Sequence, residues 1–341
     1  MNNLVELENV SVSFVKKKGL FGKPDRVAAL SEVNFRLAPS EVVALVGESG
    51  CGKTTLARVV TGLQKPTSGM VRYKGKDIWR LSKKEFLEYR RDVQLMMQDS
   101  YAALNPMRSV EQSLIPPLLR HNIAKNHRSA REKVVELLES VGLTPGEQFL
   151  GKYPHQLSGG QRQRVCLARA ISIDPKVIVA DEPVSAVDVS LRLSILNLMS
   201  RLNKERGIAF IYITHDLSTA RYIANHGRMV VMYLGRVVQT GNVHDLLANP
   251  THPYLRALLS AVPVPDPEIS RKKRMVQLRS MDMPNPTNPP SGCSFHPRCP
   301  IAIDKCAQVV PELRVLNGSE VACHLAEEGT KWSLVDHYQQ S

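Results

Sequence analysis

The stretch GESGCGKT at residues 47–54 constrains this chain more than any other. It fits the pattern G-x-x-x-x-G-K-[S/T], and it lies where that pattern has physical meaning. Before it runs EVVALVG (41–47), a short continuous apolar stretch that suits a strand buried on both faces. After it, KTTLARVVTGL carries Leu56, Val59, Val60 and Leu63 at helical spacing and stops before Pro66. Strand, glycine loop and helix are therefore expected in that order. Gly47, Gly50 and Gly52 let the backbone curl with its N–H groups turned toward phosphate oxygens, where a side chain would block the approach. Lys53 brings positive charge to the terminal phosphates, and the Thr54 hydroxyl is expected as a magnesium ligand. Glu48, Ser49, Cys51 and Thr55 belong to the same nucleotide-binding stretch. Cys51 sits at a variable position of the pattern, where no reactive role is expected.

Two further stretches bear on that loop. VIVADEP ends a second apolar run with Asp181 and Glu182, at the strand end where the glycine loop also emerges. Asp181 is expected to hold magnesium and Glu182, one residue on, to polarise an attacking water. LSGGQRQR at 157–164 has Ser158 and Gln161 at capping-box spacing, which by itself means only a well-capped helix. Gly159 and Gly160 expose the free N–H groups of that helix to something that comes close, so a second phosphate contact is expected.

Apolar runs at KVIVAD (176–181) and GIAFIYITHD (207–216) flank the helical pattern SLRLSILNLMSRLNKE, and GRMVVMYLGRVVQTG suggests a hairpin turned at Gly235. From about residue 82 to 170 the pattern is helical, with a capping box at Ser82 and Glu85. Such alternation predicts an α/β fold with a mostly parallel sheet and a helical insertion. No apolar run approaches the roughly 18 residues needed to cross a bilayer, and no secretory leader opens the chain, so a cytoplasmic location is expected. The formal charge of +13 is spread among acidic residues, with aromatic residues at only 5%. KKK (16–18), RKKR (271–274) and RSAR (128–131) are basic without aromatic interleaving, which argues against sequence-directed binding of nucleic acid.

GESGCGKT, LSGGQ and VIVADEP, in that order, with SAVD at 185–188 and His215 after an apolar strand, resemble the ATP-binding subunit of an ABC transporter over roughly residues 4–260. The resemblance implies a P-loop ABC cassette with a mixed sheet core at 1–262, a helical subdomain at about 96–170, and a small cysteine-containing extension at 263–341. It implies that Phe14 stacks on adenine, that Gln98 senses nucleotide, joins Thr54 and Asp181 around magnesium and faces the membrane subunits, and that His215 contacts the γ-phosphate. Phe14 stands where the family often has tyrosine, and Val187 where it usually has leucine. One copy of each motif implies a dimer in which Ser158, Gly159, Gly160 and Gln161 of one chain close over the ATP held by Lys53 of the other.

QDSYAALNP (98–106), HPYLRALLSAVP (252–263) and a cysteine-containing tail resemble, more narrowly, the ATPase subunits of dipeptide and oligopeptide importers. That likeness implies a second, paralogous ATPase chain, two transmembrane permease subunits, an extracytoplasmic solute-binding protein, and a place on the cytoplasmic face of the cell membrane. Soluble ABC ATPases acting on nucleic acid or ribosomes are the alternative, but they generally carry two cassettes or a long coiled coil, and neither occurs here. The tail holds four of the six cysteines, Cys293, Cys299, Cys306 and Cys323, spaced C-x5-C-x6-C-x16-C. Four thiolates suit an iron–sulfur cluster or a structural zinc, and an unmetallated tail is the third possibility. The absence of a C-x-x-C pair weakens zinc, and related importer subunits that carry a [4Fe-4S] cluster at this place favour the cluster.

Overall fold

The computed structural model describes residues 3–16, 25–185, 187–263, 275–285 and 287–327. The basic runs at 17–18 and 271–274, residues 264–270 and position 286 of the proline-rich stretch, and Ala186 lie outside those residues.

Two sheets carry the fold. The first is antiparallel, ordered β2-β1-β4-β5, from β1 (Val5–Lys16), β2 (Asp25–Leu37), β4 (Ser68–Tyr73) and β5 (Lys76–Asp77). The second is ordered β11-β12-β10-β9-β3-β8-β7-β6 and places β3 (Val42–Val46) at its middle. β6 (Val93–Met96), β7 (Val177–Asp181), β8 (Ala209–Thr214), β3 and β9 (Arg228–Tyr233) run parallel. β7 and β8 are buried at every residue, the condition that a continuous apolar run serves. β10 (Arg236–Asn242) turns back antiparallel to β9 through Leu234 and Gly235, as the hairpin signal predicts.

The sheet surface facing the glycine loop's helix, α1 (Lys53–Val60), packs with the antiparallel sheet and α2 (Lys83–Asp92). The other surface packs with α3 (Ser100–Ala103), α4 (Val110–Arg120), α5 (His127–Ser140), α6 (Glu147–Leu150), α7 (Gly159–Ile171), α8 (Val189–Arg206) and α9 (Leu217–Ile223). The capping boxes at Ser82/Glu85 and Ser158/Gln161 both form. One expectation needs correction: the stretch from 82 to 170 is not helical throughout, because β6 lies inside it. With four residues, of which only Val93 and Met96 are buried, β6 is too short for alternation to show.

Beyond β10 come α10 (Val243–Ala248) and α11 (Pro253–Ala261), then the tail with α12 (Asp304–Gln308), β11 (Arg314–Leu316) and β12 (Ser319–Val321). β12 pairs with β10 at Gln239 and Thr240, and Ala322 N–H donates to Val238 at 2.9 Å. Phe295 is 1% exposed and packs with Tyr233 and Tyr254, ring centroids 5.2 and 5.4 Å away. The tail thus shares the main core.

Candidate functional site

The glycine loop leaves the C-terminal end of β3 and returns as α1, whose N-cap, Gly52, has φ +104° and provides no side-chain cap. The first N–H groups of α1 are left to an outside acceptor, the arrangement that favours an anion. Lys53 is 6% exposed, and its Nζ donates to the carbonyls of Gly47 at 2.7 Å and Glu48 at 2.9 Å. Ser49 and Gly50 form the exposed apex. Cys51 is fully buried, with its Sγ 3.8 Å from Lys53 Nζ; burial pushes its thiol pKa up, and its carbonyl accepts from Gly235 N–H at 2.9 Å.

Asp181 ends β7 and is 7% exposed. Burial raises its pKa, and the nearby charge of Glu182 adds to the rise; a hydrogen bond from the Thr54 hydroxyl and the charges of Lys53 and Arg58 oppose it. A buried carboxylate in net need of positive charge, facing a hydroxyl, fits a hard divalent cation with oxygen ligands.

Glu182 follows with φ +45°, a strained setting for a residue with a Cβ. Its N–H donates to the Ile213 carbonyl at 3.0 Å. Two residues from distant strand ends meet its carboxylate. Gln98, two residues after β6, donates from Nε2 to Oε2 at 2.9 Å, and His215, directly after β8, places Nδ1 3.1 Å from Oε1. Gln98, Glu182 and His215, separated by 84 and 33 positions, thus form one polar cluster.

Phe14 lies on β1 opposite Val27, 41% exposed. Ser158 is exposed at the start of α7, its hydroxyl accepting from Gln161 N–H while Gln161 Oε1 accepts from Ser158 N–H; Gly160 is buried against Leu191. Among the described residues, no hydrogen bond or ion pair joins Ser158, Gly159, Gly160 or Gln161 to the glycine loop. α7 is tied instead to the segment after Gln98. The Arg162 guanidinium sits 3.7 Å from the centroid of the Tyr101 ring, and Arg169 donates to the Ala103 carbonyl at 2.6 Å.

Two contacts of the loop have no forerunner in the sequence reading. Glu48 N–H donates to Tyr254 Oη at 2.8 Å, and the Glu48 carboxylate accepts two hydrogen bonds from Arg298, at 2.7 and 3.1 Å. Tyr254 lies within HPYLRALL and Arg298 within the cysteine tail. Neither stretch carries a phosphate-site pattern, so only the folded chain brings them to the loop.

Cys293, Cys299, Cys306 and Cys323 line one cavity of about 10 Å³ with His252, His296 and His324. All four are free thiols. Burial pushes Cys299 up to about 12 and Cys293 up to about 11, and raises Cys323. The donors are of the right kind for a soft metal. They converge without closing: among the described residues, no group of three or more His, Cys, Asp or Glu is placed to hold a metal ion.

The family described as "ABC transporter" matches residues 30–185, and "Oligopeptide/dipeptide transporter, C-terminal region" matches 238–306. A "Putative oligopeptide transport ATP-binding protein YkfD" of Bacillus subtilis is 45% identical, covering 93% of this chain and 95% of its own. A "Di/tripeptide transport ATP-binding protein DppF" of Pseudomonas aeruginosa is 43% identical, covering 96% and 99%. Among solved structures, the ATP-binding cassette MJ0796, a dimer in a post-hydrolysis state bound to ADP and Pi, superposes with a TM-score of 0.61 at 31% identity, covering 70% of this chain and 98% of its own.

Proposed function

The chain belongs to the ABC transporter family, as an ATP-binding subunit of the oligopeptide and dipeptide type, and from that membership we propose how its residues divide the work. It is an ATPase that drives peptide import. The observation that carries the division of roles is the meeting of Gln98 and His215 on the Glu182 carboxylate.

Gly47 to Thr55 receives the phosphates, with Lys53 exchanging carbonyl partners for phosphate oxygens, and Phe14 stacks on the base. Thr54, Asp181 and Gln98 would hold magnesium, which when bound neutralises charge on the phosphate oxygens. Glu182 takes the proton of the attacking water. The Gln98 amide, donating to Glu182 Oε2 at 2.9 Å, fixes the direction in which that carboxylate points. His215, whose Nδ1 lies 3.1 Å from Glu182 Oε1, is the residue assigned to contact the γ-phosphate. Ser158, Gly159, Gly160 and Gln161 serve the nucleotide of a second chain; the dimeric state of the MJ0796 cassette supports this. The second chain is a paralogue, and the pair works beneath two transmembrane subunits fed by an extracytoplasmic binding protein. No described helix is long and apolar enough to cross a membrane; the likeness to peptide-transport ATP-binding proteins supports a peripheral place on the cytoplasmic face. Residues 1–262 form the cassette, with the helical subdomain at about 96–170, and 263–341 form the extension.

Glu182→Gln removes the base and keeps the binding groups. It is expected to bind ATP normally, to lose at least about a hundredfold in turnover, and to accumulate as an ATP-dependent dimer on size exclusion. Normal turnover would take Glu182 out of the catalytic role.

The four tail cysteines are proposed as soft-metal ligands that must draw together on loading, since among the described residues no three such donors are placed to hold an ion. A cavity of about 10 Å³ has room for a single ion, whereas the [4Fe-4S] cluster expected from the resemblance requires it to open. Because burial raises the thiol pKa of Cys293, Cys299 and Cys323, loading releases protons and strengthens as pH rises. Iron, acid-labile sulfide and zinc measured on anaerobically purified protein decide between them: iron with sulfide establishes the cluster, one equivalent of zinc replaces it, and neither removes the metal role.

A further inference from the structure

Arg298 belongs to the tail, between Phe295 and Cys299, yet its side chain, 5% exposed, ends on the second residue of the glycine loop. Nη1 lies 2.7 Å from Glu48 Oε2 and Nη2 lies 3.1 Å from Oε1, the two-bond fork of a guanidinium on a carboxylate. Nη1 also reaches Tyr233 Oη at 3.4 Å and Met283 Sδ at 3.0 Å. The Arg298 Nε is buried without a hydrogen-bond partner among the described residues, so the fork on Glu48 is what offsets the burial of this charge.

Glu48 is thereby held at every polar group. Its N–H donates to Tyr254, its carbonyl accepts from Lys53, and its carboxylate accepts from Arg298. On the far side of the apex, Cys51 is held by Gly235. Between these two shoulders, Ser49 and Gly50 are exposed, and a Cβ built on Gly50 would have no atom within 4 Å. The apex has no packing of its own, so its curl is set by its shoulders.

We propose that Arg298 is a positioning residue for nucleotide binding: from the C-terminal tail it fixes Glu48, and with it the curl of the glycine loop, so that the fold of the tail sets the affinity for ATP. The inference rests on the reading of residues 47–54 as the phosphate-binding loop. A loop released at Glu48 has more conformations to lose when ATP binds, which weakens binding. Asp181, Glu182, Gln98 and His215 stand on other strands and keep their geometry, so the chemical step is spared.

The test uses the full chain carrying Arg298→Gln, Arg298→Lys, Glu48→Gln and the Arg298→Gln/Glu48→Gln pair, with ATP binding, kcat, KM and melting temperature measured for each. Arg298→Gln is expected to raise Kd and KM for ATP about tenfold with kcat within about twofold, Glu48→Gln to raise Kd for ATP by a similar factor, and the pair to bind no worse than either alone. Arg298→Lys, which keeps the charge without the fork, falls between them and the parent. The proposal is overturned if the folded single variants bind ATP as the parent does. It is equally overturned if affinity, kcat and melting temperature fall together in both, since the pair would then be structural only. Failure of the parent itself to bind ATP, at the level of a Lys53→Ala control, would remove the underlying reading instead.

Discussion

A Cβ added at Gly47 would lie 2.3 Å from the Met232 carbonyl oxygen, and one at Gly52 would lie 2.4 Å from that of Ala29. Both partners are backbone, so neither can swing away. At Gly50 there is open space, and only φ +78° resists a side chain. Gly52→Ala is therefore expected to cost about 2–4 kcal/mol of folding stability, and Gly50→Ala about 1 kcal/mol, in chemical denaturation. Titration with ATP would reverse the order among folded molecules, because the Gly50 methyl stands at the apex offered to ligand. The pattern locates all three glycines in the sequence. The reason it suggests, approach of phosphate, suits Gly50, while Gly47 and Gly52 answer to backbone from β9 and β2 that the local string cannot display.

Helix α11 begins at His252, a residue 1% exposed whose Nδ1 accepts from Tyr254 N–H at 3.1 Å. Burial lowers its pKa from 6.5 to about 3, against the opposing effect of a hydrogen bond to the Ala322 backbone. The unfolded chain binds the proton first, so stability conferred by the neutral ring is full above pH 6.5 and is lost as pH falls toward 3. His252→Asn keeps an N-cap acceptor and removes the titration. Its melting temperature is expected to fall less than the parent's between about pH 7 and pH 5, and parallel curves would refute the assignment. At this scale the sequence was legible where a signal is local. The caps at Ser82 and Ser158 and the turn at Gly235 need only neighbours in the chain. β6 was not legible, because its four residues make sense only against β7, and it is β6 that delivers Gln98 to Glu182.

The core of the molecule includes a part of the tail that composition presents as a proline-rich appendage. Phe295 fills a place against Tyr233 and Tyr254, next to the Arg298 fork and the cysteine cavity. Phe295→Ala is expected to cost about 3–5 kcal/mol, measured by denaturant unfolding of the full chain, and a chain ended at residue 262 to lose more. A truncated chain as stable as the parent would show the tail to be dispensable. The aromatic partners are separated from Phe295 by the very stretch that looks like a linker, which is why no windowed reading joins them.

The small hairpin of β11 and β12 also governs what the sheet offers to its surroundings. Without it, β10 would present a row of unpaired N–H and C=O groups, a template on which another chain can add a strand. β12 occupies that row at Gln239 and Thr240, and the outermost strand is then β11, three residues long, with Arg314 in an ion pair with Glu327. At the opposite margin β6 has only four residues. Neither margin of this sheet is long enough to recruit a foreign strand, so two such molecules do not meet by extending it.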